Sequence, residues 1–297
     1  MIACSGGPDS VALLHVFLSL RDKLRLRIGV IHVNYRIRGE ESDGDESFVR
    51  ILCDQYDVPC YVFRPKIVQG RNEEELRDIR YRYFEKILRI ETFDHIVTAH
   101  TEDDQAETVL IRLLRGTGPY GLAAMRPRHG AIIRPFLEIS KKDILEFLRS
   151  EKLTYRTDKT NDDTTILRNR IRHELIPLLD RDYRKGVRKT LARTARLLDE
   201  HFEKKVADFH GLQTCITPGG LSFSRNEYLC LTPPDRTAEI RRLYRIVLGV
   251  KKYPTAALIR EAEKLISSYK SKVRTYSSLW LKIEARGDRV TMIRNKQ

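Results

Sequence analysis

Short apolar runs alternate with helical patterns through the first half of this sequence, and that alternation restricts the folds open to the chain. Residues 28–33, 59–63 and 95–99 are apolar runs of strand length. Between and around them, apolar residues recur every three or four positions, over residues 10–20, 42–56, 73–90 and 103–114. Strands that alternate with helices form parallel sheets covered on both faces. The first half therefore predicts an α/β fold with a doubly wound parallel sheet.

The pattern changes after about residue 165. Helical patterns cover residues 167–179 and 185–209, and a Thr-Pro-Gly-Gly turn follows at 217–220. The remaining segments predict two helices and an end hairpin that turns at Arg286-Gly287-Asp288. These segments are residues 236–248 and 255–268 for the helices, and 275–285 and 290–294 for the strands. We predict an α/β domain over residues 1–164, a basic helical linker over 165–210 and a smaller α+β C-terminal domain over 211–297.

The charge of the chain is unevenly distributed. The formal net charge is +14, yet residues 1–164 carry a net charge of −1 and residues 165–297 carry +15. A basic surplus confined to one part of a chain is typical of proteins that bind a polyanion. Solvated helix faces are the ordinary alternative. Nucleic acid is favoured over a membrane surface, because the basic segments lack a strong aromatic apolar face.

Cysteine usage and hydropathy indicate the cellular setting. The chain has 5 cysteines and no C-x-x-C pair, which argues against a disulfide framework or a zinc ribbon. No apolar run approaches the roughly 18 residues that span a bilayer. We expect a reduced, cytoplasmic protein that does not bind membranes. A homodimer is compatible with the sequence, which does not specify the oligomeric state.

A serine- and glycine-rich loop precedes the first helical pattern. Small residues before a helix let backbone N–H groups approach an anion, and the helix N-terminus adds partial positive charge. Asp9 would repel phosphates unless a cation intervened, so we expect Mg²⁺ at Asp9. A plain helix cap made by Ser5 or Ser10 is the alternative. The residues predicted to bind ATP are Ser5, Gly6, Gly7, Pro8, Asp9 and Ser10.

The start of the chain is short for such a fold. Only Met1-Ile2-Ala3 precedes the loop, whereas a strand of about five residues is usual there. We expect a longer first strand to be encoded upstream.

Two further groups of charged residues lie near predicted strand ends. Arg77 and Arg80 share one face of the helix over residues 73–90, where pairing with nearby glutamates is the alternative role. Residues 99–108 carry four carboxylates at a strand end and first helical turn, more than helix capping requires. Carboxylates at that edge suit Mg²⁺ or a substrate that carries an ammonium group.

Five runs occur in an order that resembles the bacterial tRNA(Ile)-lysidine synthases of the PP-loop ATP pyrophosphatase superfamily. They are SGGPDS, HVNYRIRGEES, LRDIRYRYF, AHTEDDQAETVLIRLLRG and RNRIRHELIPL. The resemblance covers residues 2–180 clearly and implies an adenine nucleotide alpha hydrolase-like fold. It also implies that ATP adenylates the wobble cytidine of tRNA(Ile) with a CAU anticodon, and that free L-lysine then displaces AMP at C2 to give lysidine.

The resemblance also implies roles for individual residues. The loop residues would hold the phosphates of ATP, Asp9 would assist Mg²⁺ and Arg80 would contact a phosphate or the adenylate. His100, Asp104 and Glu107 would surround lysine, with Asp104 as the strongest candidate for its ammonium group; His100 and Glu107 are both candidates for the base. Residues 1–164 would be catalytic, and residues 211–297 would bind tRNA. Arg168, Arg170 and Arg172 would lie on the tRNA side. Separately from the resemblance, the basic residues of the next helical pattern recur every three or four positions, which predicts phosphate contacts unless that face is merely solvated; these are Arg184, Lys185, Arg188 and Lys189.

Two alternatives stay open at this stage. One is another PP-loop activity on tRNA such as thiolation, which commonly uses cysteine pairs; Cys53 and Cys60 lie seven apart. The other is a noncatalytic RNA-binding protein with a decayed ATP loop, against which the intact loop argues. Lysine-dependent release of AMP separates the three.

Overall fold

The computed structural model describes residues 1–66, 73–157, 163–208, 211–248, 254–268, 273–278 and 280–295. The chain divides into two compact units, Met1–His201 and Phe202–Gln297. The helical segment from residue 165 to His201 thus falls within the first unit. The assignment of separate functions to residues 1–164, 165–210 and 211–297 stays a prediction.

The first unit is built on a six-stranded sheet in the order β3-β2-β1-β4-β6-β5. The first five strands in that order are parallel, and the edge strand β5 runs antiparallel to β6. The central strand β1 comprises two residues. The strands are β1 Ile2–Ala3, β2 Val30–Val33, β3 Cys60–Phe63, β4 Ile96–Val97, β5 Arg128–His129 and β6 Ile132–Ile133.

Helices cover this sheet on both faces, which confirms the doubly wound prediction. Neighbouring strand residues point to opposite faces, so Val30 and Ile31 enter different core clusters. Val30 packs with residues of α1, α2 and α6, whereas Ile31 packs with residues of α3. The helices are α1 Pro8–Leu20, α2 Glu40–Gln55, α3 Glu73–Ile90, α4 Glu102–Leu114, α5 Pro119–Leu122, α6 Lys141–Ser150, α7 Leu167–Arg170, α8 Ile176–Asp182 and α9 Val187–Asp208.

The helix predicted over residues 167–179 contains a π-helical turn at Ile171–Leu175, between α7 and α8. Pro177 follows in the first turn of α8. A proline ring clashes with the carbonyl four residues earlier, here that of His173, and cannot donate a hydrogen bond to it. A wider π-helical turn accommodates that defect without ending the helix.

In the part of the second unit that the structure describes, a five-stranded antiparallel sheet in the order β7-β8-β11-β10-β9 packs with three helices. The end hairpin is confirmed, since β10 and β11 pair around Gly287. The single segment predicted over residues 275–285 is wrong: the chain reverses near Ser278, whose N–H donates to Leu281 O at 2.8 Å. Its elements are β7 Cys215–Thr217, β8 Gly220–Ser224, α10 Arg225–Cys230, α11 Pro233–Leu248, α12 Ala256–Ser267, β9 Arg274–Ser277, β10 Leu281–Arg286 and β11 Arg289–Arg294.

None of the described helices is both long and apolar enough to cross a bilayer.

Candidate active site

A cavity of about 470 Å³ lies where the sheet changes direction. The chain leaves β1 toward β2 on one side, and β4 lies on the other side of β1. In open α/β sheets this switch point leaves a crevice at the carboxyl ends of the strands. The cavity is lined by residues that follow β1, β2 and β4 and by one face of α3. Among them are Ser5, Gly7, Asp9, Ser10, His32, Asn34, Tyr35, Arg80, Tyr81 and His100.

The glycine-rich loop presents an uncapped helix N-terminus to this cavity. Gly7 is the N-cap of α1, Pro8 follows it, and no side chain caps the helix. The alternative of a serine cap is therefore wrong. Ser10 instead holds the loop together: its hydroxyl donates to Gly7 O at 2.9 Å and accepts from Ser5 N at 3.1 Å. The open N–H groups of the first turn are a ready site for a phosphate.

Gly6 sets the shape of this loop without lining the cavity. Its φ angle is +91°, in a region that side-chain-bearing residues rarely adopt. Its carbonyl accepts a hydrogen bond from Arg156 N at 2.9 Å. Pro8 also lies outside the cavity lining and fixes the first turn of α1.

Asp9 pairs with a lysine that belongs to none of the sequence motifs described above. Lys141 Nζ lies 2.5 Å from Asp9 Oδ1, although the residues are 132 positions apart. Burial raises the pKa of Asp9, the Lys141 ammonium opposes that rise, and nearby Asp104 adds to it. Lys141 is the first residue of α6, and its N–H donates to Asp103 Oδ2 at 2.8 Å. No sequence signal distinguishes Lys141 from neighbouring Lys142.

His100 lines the cavity at the end of β4. Its Nδ1 lies 2.9 Å from Thr98 Oγ1. Burial lowers the pKa of His100 to about 3, and the cationic groups of Arg134, Arg80 and Arg77 contribute to the shift against the opposing effect of Asp104. The imidazole is therefore neutral near pH 7.

Asp104 lies in the first turn of α4, near His100. Its Oδ2 accepts hydrogen bonds from Thr101 N at 2.9 Å and from Thr101 Oγ1 at 3.0 Å, which completes a capping box. Burial raises the pKa of this carboxyl, but His100, Arg168, Thr101 N–H and Arg172 together hold it below its ordinary value. Asp104 is outside the cavity lining but close enough to influence both Asp9 and His100.

Glu107 is buried and bound by two arginines. Arg168 Nε donates to Glu107 Oε2 at 2.9 Å, and Arg172 Nε donates to Oε1 at 2.5 Å. Only 1% of the Glu107 side chain is exposed. This arrangement differs from the expectation that Glu107 faces lysine. It also differs from the expectation that Arg168 and Arg172 point toward tRNA, because both cations fasten α4 to the following helices.

The remaining basic residues of the linker fall into two groups. Arg188 Nε lies 3.1 Å from Asp103 Oδ1, and this ion pair joins α9 to α4. The other predicted tRNA-facing side chains are exposed: Arg170, Arg184, Lys185 and Lys189.

Beside the cavity, Asn34 belongs to a polar cluster around Glu46. Asn34 Nδ2 donates to Glu46 Oε2 at 3.0 Å, and Arg64 Nη2 donates to Oε1 at 2.6 Å. Burial raises the pKa of Glu46, but hydrogen bonds from Arg64, Asn34 and Arg50 lower it to about 2. No sequence pattern distinguishes this buried acid, because Glu46 is one of several acids in an acidic helix.

We predict that Glu46→Gln lowers the unfolding free energy at pH 7 by about 2 kcal/mol, since charge-assisted bonds are lost. Because the folded pKa lies below the ordinary one, the stabilisation is present above about pH 4.5 and is lost as the pH falls toward 2. The variant should therefore show a shallower pH dependence between pH 5 and about 2. Urea unfolding followed by circular dichroism measures both, with exposed Glu41→Gln on α2 as the control. Equal slopes for the wild type and Glu46→Gln would contradict the assignment.

The described ranges contain no group of three His, Cys, Asp or Glu side chains that could hold a metal ion. Asp9 on its own supplies one carboxylate. Magnesium is usually bound by one or two carboxylates together with substrate phosphates. The donor set therefore fits a magnesium ion that arrives with a nucleotide.

Comparisons with known proteins agree with this geometry. Residues 1–179 match the family described as PP-loop domain. A tRNA(Ile)-lysidine synthase of Chlorobaculum tepidum is 41% identical over 186 residues, 61% of this chain and 56% of that protein. The enzyme of that name from Clostridium acetobutylicum is 38% identical over 216 residues, 70% of this chain and 47% of its own length. The chain thus spans about half the length of the curated relatives it matches.

A solved structure shares the fold. The U34-tRNA thiolase NcsA from Methanococcus maripaludis, with its [4Fe-4S] cluster, superposes with a TM-score of 0.53 at 19% identity. The match covers 67% of this chain and 70% of NcsA. The fold is thus of the adenine nucleotide alpha hydrolase type, as the motifs implied. Because the matched domain covers more than half of its length, the chain belongs to the PP-loop family.

Proposed function

We propose that this protein is an ATP-dependent ligase that joins lysine to C2 of the wobble cytidine in a tRNA(Ile) with a CAU anticodon. The observation that carries the proposal is the cavity itself, where the phosphate loop, Arg80 and His100 meet at the switch point. Relatives at 38–41% identity named tRNA(Ile)-lysidine synthase support it. A cytoplasmic setting and tRNA, ATP and lysine as ligands belong to the same proposal; a homodimer stays a prediction.

The chemistry divides into two displacements. The C2 oxygen of cytidine attacks the α-phosphorus of ATP, and pyrophosphate leaves. The ε-amine of lysine then attacks C2, and AMP leaves as a good leaving group. The first step suits the N–H groups of the loop and the Arg80 guanidinium, because both stabilise negative charge on phosphate oxygens.

Magnesium would be held by Asp9 together with the phosphates of ATP, where it would neutralise phosphate charge. Lys141 forms an ion pair with Asp9 and would hold its carboxylate in position beside the loop.

The decisive experiment measures AMP release with purified protein, ATP and a tRNA(Ile) transcript that carries a CAU anticodon. We expect release that depends on lysine, together with incorporation of labelled lysine into the tRNA. A transcript whose wobble base is uridine is the control. Incorporation of sulfur instead of lysine would support the thiolase alternative, and RNA binding without AMP formation would support the noncatalytic one.

The exposed lysines of α9 and the preceding turn predict a salt effect on tRNA binding. Replacement of Lys185 and Lys189 by alanine should reduce the slope of log affinity against log salt concentration by about 1 to 2, as expected when one or two phosphate contacts are lost. Filter binding at several salt concentrations measures the slope. The pair Lys142→Ala with Arg149→Ala on α6 changes net charge equally and should leave the slope unaltered. Equal slopes in all three proteins would mean that Lys185 and Lys189 are merely solvated.

A further inference from the structure

The proposed reaction needs a group that accepts a proton from lysine, and no residue has been assigned to that role. The inference of such a residue rests on the proposed function. The ε-amine of lysine has an ordinary pKa of about 10.4, so near pH 7 it arrives as an ammonium ion. An ammonium ion has no lone pair and cannot attack C2. A group in the cavity must therefore accept one proton before or during the attack.

The two candidates named from the sequence fit this task poorly. His100 has a pKa of about 3, so it is too weak a base to take a proton from an ammonium ion efficiently. Glu107 is almost wholly buried, and both of its oxygens already accept hydrogen bonds from arginines. Asp104 can bind the ammonium group, but its pKa lies below that of an ordinary carboxyl.

Tyr81 lines the same cavity as the phosphate loop and His100. It lies on α3, and its hydroxyl oxygen accepts a hydrogen bond from Arg134 Nη2 at 3.3 Å. Arg134 is buried and is itself fixed by a bond from Nη1 to Arg126 O at 2.9 Å. The Arg77 guanidinium lies 5.2 Å from the centre of the Tyr81 ring.

The charges around this phenol favour its anionic form. The charged groups that act on it are Arg77 and Arg80 on its own helix and Arg134 after β6, and the neutral His100 lines the same cavity. Burial raises the pKa of the Tyr81 phenol, but Arg77, Arg134 and Arg80 outweigh burial and bring it below its ordinary value. A phenol ordinarily titrates close to an amine, so the two are well matched for proton transfer.

The hydroxyl of Tyr81 also differs from those of two nearby tyrosines. Tyr35 donates to Leu76 O at 2.9 Å, and Tyr61 donates to Glu91 Oε2 at 2.8 Å. Within the described residues, Tyr81 accepts a bond from Arg134 and donates none to the protein. Because no acceptor among the described residues holds the phenolic proton, it can pass to water in the cavity and leave the phenolate.

We propose that Tyr81 is the catalytic base of the second step and takes a proton from the ε-ammonium group of lysine. The phenolate oxygen bonds to that proton, and the nitrogen keeps the electron pair of the broken N–H bond. This pair forms the N–C2 bond as the C2–O bond to AMP breaks. The phenol returns its proton to water after AMP departs.

The test separates the two chemical steps in the full protein with tRNA(Ile). In a single turnover, with the protein in excess over tRNA, Tyr81→Phe should release pyrophosphate at the wild-type rate and release AMP about 100-fold more slowly at pH 7.5, a loss typical of a missing general base. Tyr61→Phe, which also loses one phenolic hydrogen bond, should behave as wild type in both steps.

The pH dependence of AMP release distinguishes a base from a residue that only supports the structure, because loss of structural support would not change the pH profile. In the wild type its rate should level off below the ordinary pKa of a phenol, whereas in Tyr81→Phe it should keep rising toward the pKa of the amine. S-(2-aminoethyl)cysteine, whose amine is more acidic than that of lysine, should partly restore the variant. Equal loss of both steps, or a wild-type pH profile in Tyr81→Phe, would overturn the inference. If the wild type releases pyrophosphate but no lysine-dependent AMP, the proposed function itself fails.

Discussion

Replacement of Gly6 by alanine should weaken ATP binding about 10- to 30-fold and slow pyrophosphate release about 100-fold. With φ at +91°, an alanine at this position carries a strain of about 1–2 kcal/mol. The added Cβ meets only ordinary contacts, the nearest with Phe48 at 3.4 Å. The loop therefore escapes the strain by changing its backbone angles, which redirects the N–H groups of Ser5 and Gly7. A misplacement of about 1 Å can cost 100-fold in rate.

A matched glycine makes this prediction specific. Gly219 has a φ angle of +86° in the turn between β7 and β8, with no atom within 4 Å of an added Cβ. Gly219→Ala should lower stability to a similar extent and leave ATP binding unchanged. Calorimetric titration with ATP and thermal unfolding of both variants measure the two effects. Wild-type ATP affinity in Gly6→Ala would mean that the nucleotide does not bind at this loop.

The parts of the molecule that could be predicted from sequence are those fixed by local interactions. Ser140 is a serine of the kind that caps helices, and its side chain accepts from Asp143 N in a capping box at the start of Lys141–Ser150. The 73–90 helix and the last hairpin follow from apolar spacing and from turn residues. The short strands β5 and β6 were missed, because two residues each carry no periodic signal.

The candidate site was predictable in composition but not in pairing. The sequence places four acids at the start of α4 and several arginines about 60 residues later. Which acid forms an ion pair with which arginine depends on how α7 and the π-helical turn pack against α4. The structure commits Glu107 to Arg168 and Arg172, and Asp103 to Arg188. Lys141 and Tyr81 were missed for the same reason, since only the folded sheet brings them to the cavity.

Because the other acids are paired in this way, Asp104 is the acid that we expect to contribute most to the binding of lysine. Arg172 Nη2 lies 3.5 Å from Asp104 Oδ1, a longer contact than either arginine Nε makes with Glu107. His100 borders the cavity next to this carboxylate. A charged hydrogen bond between the lysine ammonium group and Asp104 is worth about 1.5–3 kcal/mol.

Asp104→Asn should therefore raise the KM for lysine by about 10- to 100-fold, as such an energy implies, with the affinity for ATP nearly unchanged. Asparagine can still accept the bonds from Thr101, so the helix cap survives. Asp143→Asn provides the control, because Asp143 occupies the corresponding capping-box position of α6. Initial rates at varied lysine concentration, together with ATP titrations, measure both affinities. If Asp104→Asn weakened the binding of ATP and the binding of lysine equally, the carboxylate would act through the shape of the site and not through a bond to the ammonium group.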